Sequence, residues 1–226
     1  MSCHKILAIE TSTAACSAAL QIGNEVIGEF EIAPRQHSEL IISMVDKLLV
    51  ESGFSLRQLD SIAFSRGPGA FTGLRIAAGV VQGLAFASDL PVTPVSTLAA
   101  MAHGAFRDYG TQRVLVANDA SMKEVYFGAY YIPELGQANL LDEERVISMA
   151  DISSLDEGEW LALGNGWQRY ADQIPAAVAD QVHKRVIEYY PDAKEVVSLA
   201  QALFSKGEYV AAEEAIPIYL RDKVVG

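Results

Sequence analysis

Two short stretches hold the residue types from which a phosphate or magnesium-phosphate site could be assembled. The first is Glu10-Thr11-Ser12-Thr13, an acid and three hydroxyls closing the apolar run Lys5-Ile6-Leu7-Ala8-Ile9. The second is Arg66-Gly67-Pro68-Gly69, continued by Phe71-Thr72-Gly73. Acids at strand ends, hydroxyls, and glycine turns whose backbone can approach phosphate oxygens closely suit such a site. Glu10, Thr11, Ser12, Arg66, Gly67, Gly69, Thr72 and Gly73 are therefore the nucleotide-binding candidates. The same residues equally describe a strand-end turn satisfied by its own side chains, and short motifs do not separate the two readings. No GxxxxGK(S/T) loop and no GxGxxG fingerprint is present.

Other chemistries find less. His4, His37, His103 and His183 are scattered, and none stands three to five residues from another histidine or a cysteine, so no metal site is expected. His37 reads as a capping or solvent residue before a helix, and His103 as a cation favoured by the late end of one. There is no GxSxG elbow and no paired base for a nucleophilic serine. Arg66 and Arg75 flank the glycine turn and could grip a phosphate or a partner's carboxylate. Arg75 sits where it opposes the helix dipole, which favours a specific role over a solvated charge.

The elements that must position these residues follow from patterning. Strands are expected at 5–10, Cys16–Ile22 and Glu25–Ile32, with Gly23-Asn24 as a hairpin turn. A helix begun by Ser38 runs to Ser52, Leu59–Phe64 is a strand, and Thr72 caps the helix after the glycine turn. Val92–Val95 is a short strand, and Ser96 caps a helix to about residue 105. Three strands in a meander, then helices alternating with strands, is the order of a ribonuclease-H-like sheet. The pattern restarts at Arg113–Asn118 and Val125–Ile132, where Asp119-Ala120-Ser121 matches the Glu10 turn as a weak internal repeat. Further strands are expected at Leu140–Ser148, Trp160–Leu163 and Val186–Tyr189, and helices at Ala193–Ser205 and Tyr209–Ala215.

The two early helices carry more apolar surface than one sheet face can cover. Ile76 to Ala87 is apolar nearly all round, but at roughly 1.5 Å per residue its length of about 18 Å is too short for a bilayer. Such a helix needs cover on both sides: its own sheet, and a further layer or partner. Gly79 and Gly83 have the spacing that lets another helix come close, or that lets this one press on its sheet.

The 226 residues allow one large domain or two small ones, with 50% apolar residues for a core. Seventeen Lys and Arg against 29 Asp and Glu, a net charge of −12, argue against a dominant nucleic-acid footprint. Cys3 and Cys16 are too few for a disulfide framework and nothing resembles a signal peptide, so a cytoplasmic protein is expected.

The segments ILAIETST, LDSIAFSRGPGAFTGLRIAAGVVQGLA, PVSTLAAMAHGA, VANDASMKEVYFGAY and IPIYLRDKV resemble the bacterial TsaB (YeaZ) family along essentially the whole chain. Ala77 or Ala78 stands where relatives often have glycine. The resemblance implies an α/β protein of two ribonuclease-H-like lobes, of the actin-like ATPase superfamily, divided here as 1–106 and 107–226 with the last helix able to pack back on the first lobe. It implies a non-catalytic role in making threonylcarbamoyladenosine beside the anticodon of tRNAs that read codons starting with A. The implied partners are the catalytic paralogue TsaD and the ATPase TsaE, with a homodimer when alone, little direct tRNA contact and no membrane. TsaD-type proteins hold a metal with two histidines four residues apart. The matching stretch Arg35-Gln36-His37-Ser38-Glu39-Leu40-Ile41 has one, which speaks against a glycoprotease-like metallopeptidase. An autonomous ATPase or sugar-kinase-like enzyme is the other alternative. No cofactor is expected for the lone chain, although ATP or ADP could bind where TsaD completes the site. The family's interface lies on the first two helices, so Ile41, Met44, Val45, Leu48, Arg75, Ile76, Gly79, Val80 and Gly83 are the expected partner contacts.

Overall fold

A strand reading Ile6-Leu7-Ala8-Ile9 has no polar face, so it belongs in mid-sheet, covered on both sides. The computed structural model of the chain, which describes residues 4–153 and 158–221, has it there. β1 (Ile6–Glu10) pairs antiparallel with β2 (Ala15–Ile22), which pairs antiparallel with β3 (Glu25–Ile32). α1 (His37–Ser52) then leads to β4 (Ser61–Gly67), parallel to β1, and α2 (Phe71–Ser88) leads to β5 (Val92–Ser96), parallel to β4. The sheet order β3-β2-β1-β4-β5 is the ribonuclease-H-like order. Leu7, Ile9, Leu20 and Phe64 meet Ile41, Val45, Leu48, Ala77 and Val81 in one core under α1 and α2. α3 (Thr97–Tyr109) follows, and the Ser96 hydroxyl accepts the Leu98 and Ala99 N–H groups at its start, as expected.

The second sheet repeats the first. β6 (Arg113–Asp119) is central, antiparallel to β7 (Glu124–Tyr131), whose far side takes β8 (Asn139–Leu140) and β9 (Arg145–Ser148). β10 (Trp160–Leu163) is parallel to β6, and β11 (Val182–Val186) parallel to β10. The order β11-β10-β6-β7-β8 is the first sheet's order again. Glu10 and Asp119 each end the central strand of their sheet, but Glu10 faces Ser17 whereas Asp119 faces Val125, so the second turn is one residue tighter. Short helices α4 (Gly166–Arg169) and α5 (Ala176–Gln181) take the places of longer ones, around a core of Trp160, Trp167 and Phe127. α6 (Ala193–Ser205) packs on β1 and β2 of the first sheet.

The chain forms two compact units, Met1–Ala100 with Pro191–Ile218, and Met101–Tyr190 with Tyr219–Gly226. The division falls after Ala100, inside α3, and not at 106, and Ala193–Ser205 belongs to the first unit. Several other expectations are corrected. α1 starts at His37, not Ser38, and α2 starts at Phe71 with Ala70 as its N-cap, so Thr72 lies inside the first turn and caps nothing. The strand expected at Val186–Tyr189 is Val182–Val186, an edge strand whose exposed His183-Lys184-Arg185 hid it. Leu140–Ser148 breaks in two around Asp142 and Glu143. Tyr209–Ala215 is no helix: Val210 exchanges backbone hydrogen bonds with Val92 at 2.9 and 2.8 Å, leaving one 3-10 turn at Ala212–Glu214. By length and composition alone, α2 could cross a bilayer. It is instead the crossover between adjacent parallel strands, with Leu74, Ala77, Ala78, Val81 and Ala85 buried.

Candidate functional site

The two stretches singled out for phosphate chemistry do come together, but against each other. A Cβ on Gly69 would come 2.5 Å from the Ser12 carbonyl oxygen, and one on Gly73 would overlap the Thr11 carbonyl oxygen. The Ala70 N–H donates to the Ser12 carbonyl at 2.7 Å, and the Thr11 hydroxyl donates to the Gly73 carbonyl at 2.8 Å. Gly67, at φ 110°, lies against the Ile218 carbonyl, while the Ile218 N–H donates to the Arg66 carbonyl at 2.7 Å. Each of these glycines is thus required by the chain's own backbone, a close approach that no other residue type permits.

Glu10 ends β1 fully buried. Its Oε1 accepts the Ser12 N–H at 2.5 Å, while Oε2 has no hydrogen-bond partner among the described residues. Burial pushes its carboxyl above the usual range, opposed by the nearby Ser12 and Ser65 hydroxyls, neither of which closes a hydrogen bond of good geometry. Arg66 is half-buried. Thr72 is exposed, and Arg75 stacks its guanidinium 3.9 Å from the Phe71 ring centroid.

α1 and α2 present unlike surfaces. Ile41, Met44, Val45 and Leu48 were expected to touch a partner. They lie beneath α1 in the first core with at most 7% exposure, because their i, i+3, i+4, i+7 spacing is the sheet-facing stripe. They cannot form a docking face. The α2 candidates behave otherwise. Arg75, Gly79 and Gly83 are exposed, Ile76 and Val80 are half-buried at the edge of the core, and nothing lies within 4 Å of a Cβ built on either glycine. Phe86, one turn beyond Gly83, is 81% exposed, and Val50 on α1 is 80% exposed. Neither was singled out from sequence, although the spacing 79, 83, 86 already set Phe86 on the glycine face.

The second unit's equivalent turn is built differently. Asp119 accepts the Tyr170 hydroxyl at 2.7 Å and the Ser121 N–H at 3.1 Å, and pairs with Arg169 at 3.3 Å. Ser121, Met122 and Lys123 are all left-handed, at φ 64°, 54° and 66°. Gly164 and Gly166 press on the Ala117 carbonyl as Gly69 and Gly73 press on Ser12 and Thr11. His37 and His103 are both corrected. The His37 ring is buried with Nε2 3.1 Å from the Ala15 carbonyl. The His103 ring is 1% exposed, accepts the Gly136 N–H at 2.7 Å, and is pushed down to about 4 chiefly by burial, so it is neutral and not a dipole-stabilised cation. Among the described residues, no group of three or more His, Cys, Asp or Glu side chains is placed to hold a metal ion.

Two sheets of one ribonuclease-H-like strand order, each in its own compact unit, define a two-lobed α/β protein. A family model described as "TsaD: tRNA N6-adenosine threonylcarbamoyltransferase" matches residues 30–225. The Escherichia coli K12 protein named tRNA threonylcarbamoyladenosine biosynthesis protein TsaB is 40% identical over 223 residues, 97% of this chain and 96% of that one. The solved structure of YeaZ from Pseudomonas aeruginosa matches with TM-score 0.90 at 42% identity, over 96% of this chain and 100% of that one. The tRNA N6-adenosine threonylcarbamoyltransferase of Chlorobium limicola is 33% identical over 116 residues, 45% of this chain and 33% of that one. The chain belongs to the TsaB (YeaZ) family.

Proposed function

We propose that the chain is a non-catalytic subunit for threonylcarbamoyladenosine formation on tRNA, which binds and stabilises a TsaD-type transferase through the outer face of α2. The observation that carries this reading is that face itself: from Ile76 to Ser88 it has no charged residue, Gly79 and Gly83 leave it open, and Phe86 projects from it. Two glycines one turn apart let a partner helix approach backbone to backbone, and a projecting aromatic supplies an anchor. Arg75, Ile76 and Val80 complete the surface. The same face makes a homodimer when the transferase is absent, because an apolar face of this kind is unfavourable in water. TsaE joins the pair, the complex works in the cytoplasm, and direct contact of this chain with tRNA is minor, in line with a net charge of −12.

The isolated chain needs no nucleotide in this reading. Glycines that would otherwise let a phosphate approach are taken up by Thr11, Ser12 and Ile218. Any ATP or ADP belongs to a site completed by the transferase. The test is reconstitution of threonylcarbamoyladenosine on tRNA from an activated threonylcarbamoyl donor and ATP with the transferase and TsaE of the same organism. Product is expected only when this chain is added, and none from the chain alone. Formation at full rate without the chain would overturn the proposal, and ATP turnover by the chain alone, lost in Asp119→Asn, would revive the kinase-like alternative.

A further inference from the structure

A sheet edge presents a row of backbone N–H and C=O groups ready to pair with another strand, and proteins usually block it. Among the described residues the edges other than that of β3 are blocked or short, β9 at 4 residues among them. β5 carries Pro94 and is bridged on its outer side by Val210. β8 is only two residues long. β11 has a register irregularity where it meets β10 and bears His183-Lys184-Arg185. β3 differs from all of them. It is 8 residues long, pairs with β2 in unbroken register from Ile32 to Glu25, and contains no proline and no lysine.

Its side chains alternate by face, with one face apolar and the other acidic apart from Ile27, which packs on the first core. Val26, Phe30 and Ile32 share one face at 37%, 45% and 54% exposure, with the Lys194 stem lying over Gly28 between them. Glu25, Glu29 and Glu31 share the other with the core-packed Ile27, and Lys47 already pairs with Glu29 at 2.7 Å.

We infer that β3 is a strand-addition edge for an extended peptide of a partner protein that alternates basic with aliphatic or aromatic residues. Backbone pairing supplies the attachment, and the alternating side chains supply the selection. Opposite charges directly across a strand pair are favourable and like charges are not. A partner with Lys or Arg on the carboxylate face therefore gains what an acidic or uncharged strand does not. The same carboxylates disfavour a second copy of this chain. Antiparallel self-pairing of β3 sets glutamate against glutamate in one register and, one residue along, glutamate against Val26, Phe30 or Ile32.

The probe is an acetylated Lys-Val alternating peptide of the length of β3, 8 residues, with a block peptide of the same composition and a Glu-Val alternating peptide beside it. Affinity is read by fluorescence anisotropy, and the site by amide hydrogen exchange of the full chain. The expected result is binding of the Lys-Val alternating peptide alone, with new protection in β3. Affinity should fall at least about tenfold in the Glu25→Lys/Glu31→Lys variant. Both positions are exposed, and circular dichroism verifies that the variant is folded. Equal binding of the block peptide, protection outside β3, or unchanged affinity in the variant would overturn the inference. Self-association with protection at β3, read by sedimentation, would overturn the choice of occupant.

Discussion

The two lobes follow one strand order, yet what leaves β4 and what leaves its counterpart β10 are different. From β4 a glycine turn opens into the 18 residues of α2, while from β10 a similar turn opens into the 4 residues of α4. In both, glycines press on the end of the central strand: Gly69 and Gly73 on Ser12 and Thr11, Gly164 and Gly166 on Ala117. The close approach therefore belongs to the fold and recurs in both lobes. Among the described residues, the long helix with an open outer face after the glycine turn is found in the first lobe and not in the second. Function is to be sought in what the lobes do not share.

The largest effect that can break this comparison is on the shared feature. Gly73→Ala and Gly164→Ala would drive a Cβ into backbone or side-chain oxygens, and each is expected to cost roughly 4 kcal/mol, read by urea unfolding. A lobe that tolerated the change would show that its glycines are not structural.

The lobes should also respond to pH with opposite sign. His103, in the second unit, falls from 6.5 to about 4, so its stabilisation is complete above pH 6.5 and is lost as pH drops toward 4. That shift corresponds to about 3 kcal/mol. Glu10, in the first, is raised from 4.5, so its contribution is complete below pH 4.5 and is lost as pH rises. Urea midpoints across this range are expected to show Glu10→Gln gaining on the wild type as pH rises. Imidazole resonances should show His103 neutral at pH 5.5 to 7. A His103 midpoint near 6.5 would contradict the second arm.

Smaller effects sharpen the contrast. Among the described residues the left-handed run at Ser121, Met122 and Lys123 has no counterpart in the first lobe, and Lys123→Gly is expected to add about 1 kcal/mol of stability. Gly83→Ala, on the open face of α2, should add about 0.8 kcal/mol, the opposite sign from Gly73→Ala ten residues earlier on the same helix. Thermal melts of the two alanine variants side by side check both signs.

Much of this was legible in the residues. Alternation and the Gly23-Asn24 turn gave β3 its limits, and an uninterrupted apolar period gave α6 its own, Ala193–Ser205. The faces of α1 were legible too but were misread, since Ile41, Met44, Val45 and Leu48 carry the spacing of a core stripe, and the residues off it, such as Val50, are the exposed ones. The role of the glycine turn was not legible. Whether a glycine admits a phosphate or a carbonyl depends on what the fold brings to it, and the Thr11–Gly73 hydrogen bond spans 62 residues. Tyr209–Ala215 failed for a similar reason, because pairing of Val210 with Val92 outweighs the local helix preference of its Ala and Glu residues.

The measurement that bears most directly on the central claim is the affinity of this chain for the TsaD-type transferase of its own organism, wild type against Gly83→Glu, by calorimetric titration. Gly83 is exposed with open space around it, so the variant should fold and melt no lower than the wild type. Val80 is a poorer choice, because it packs at the edge of the core. The outer face of α2 as the docking surface predicts that affinity falls at least about tenfold, through a carboxylate buried without a partner. Unchanged affinity with the variant folded would contradict it.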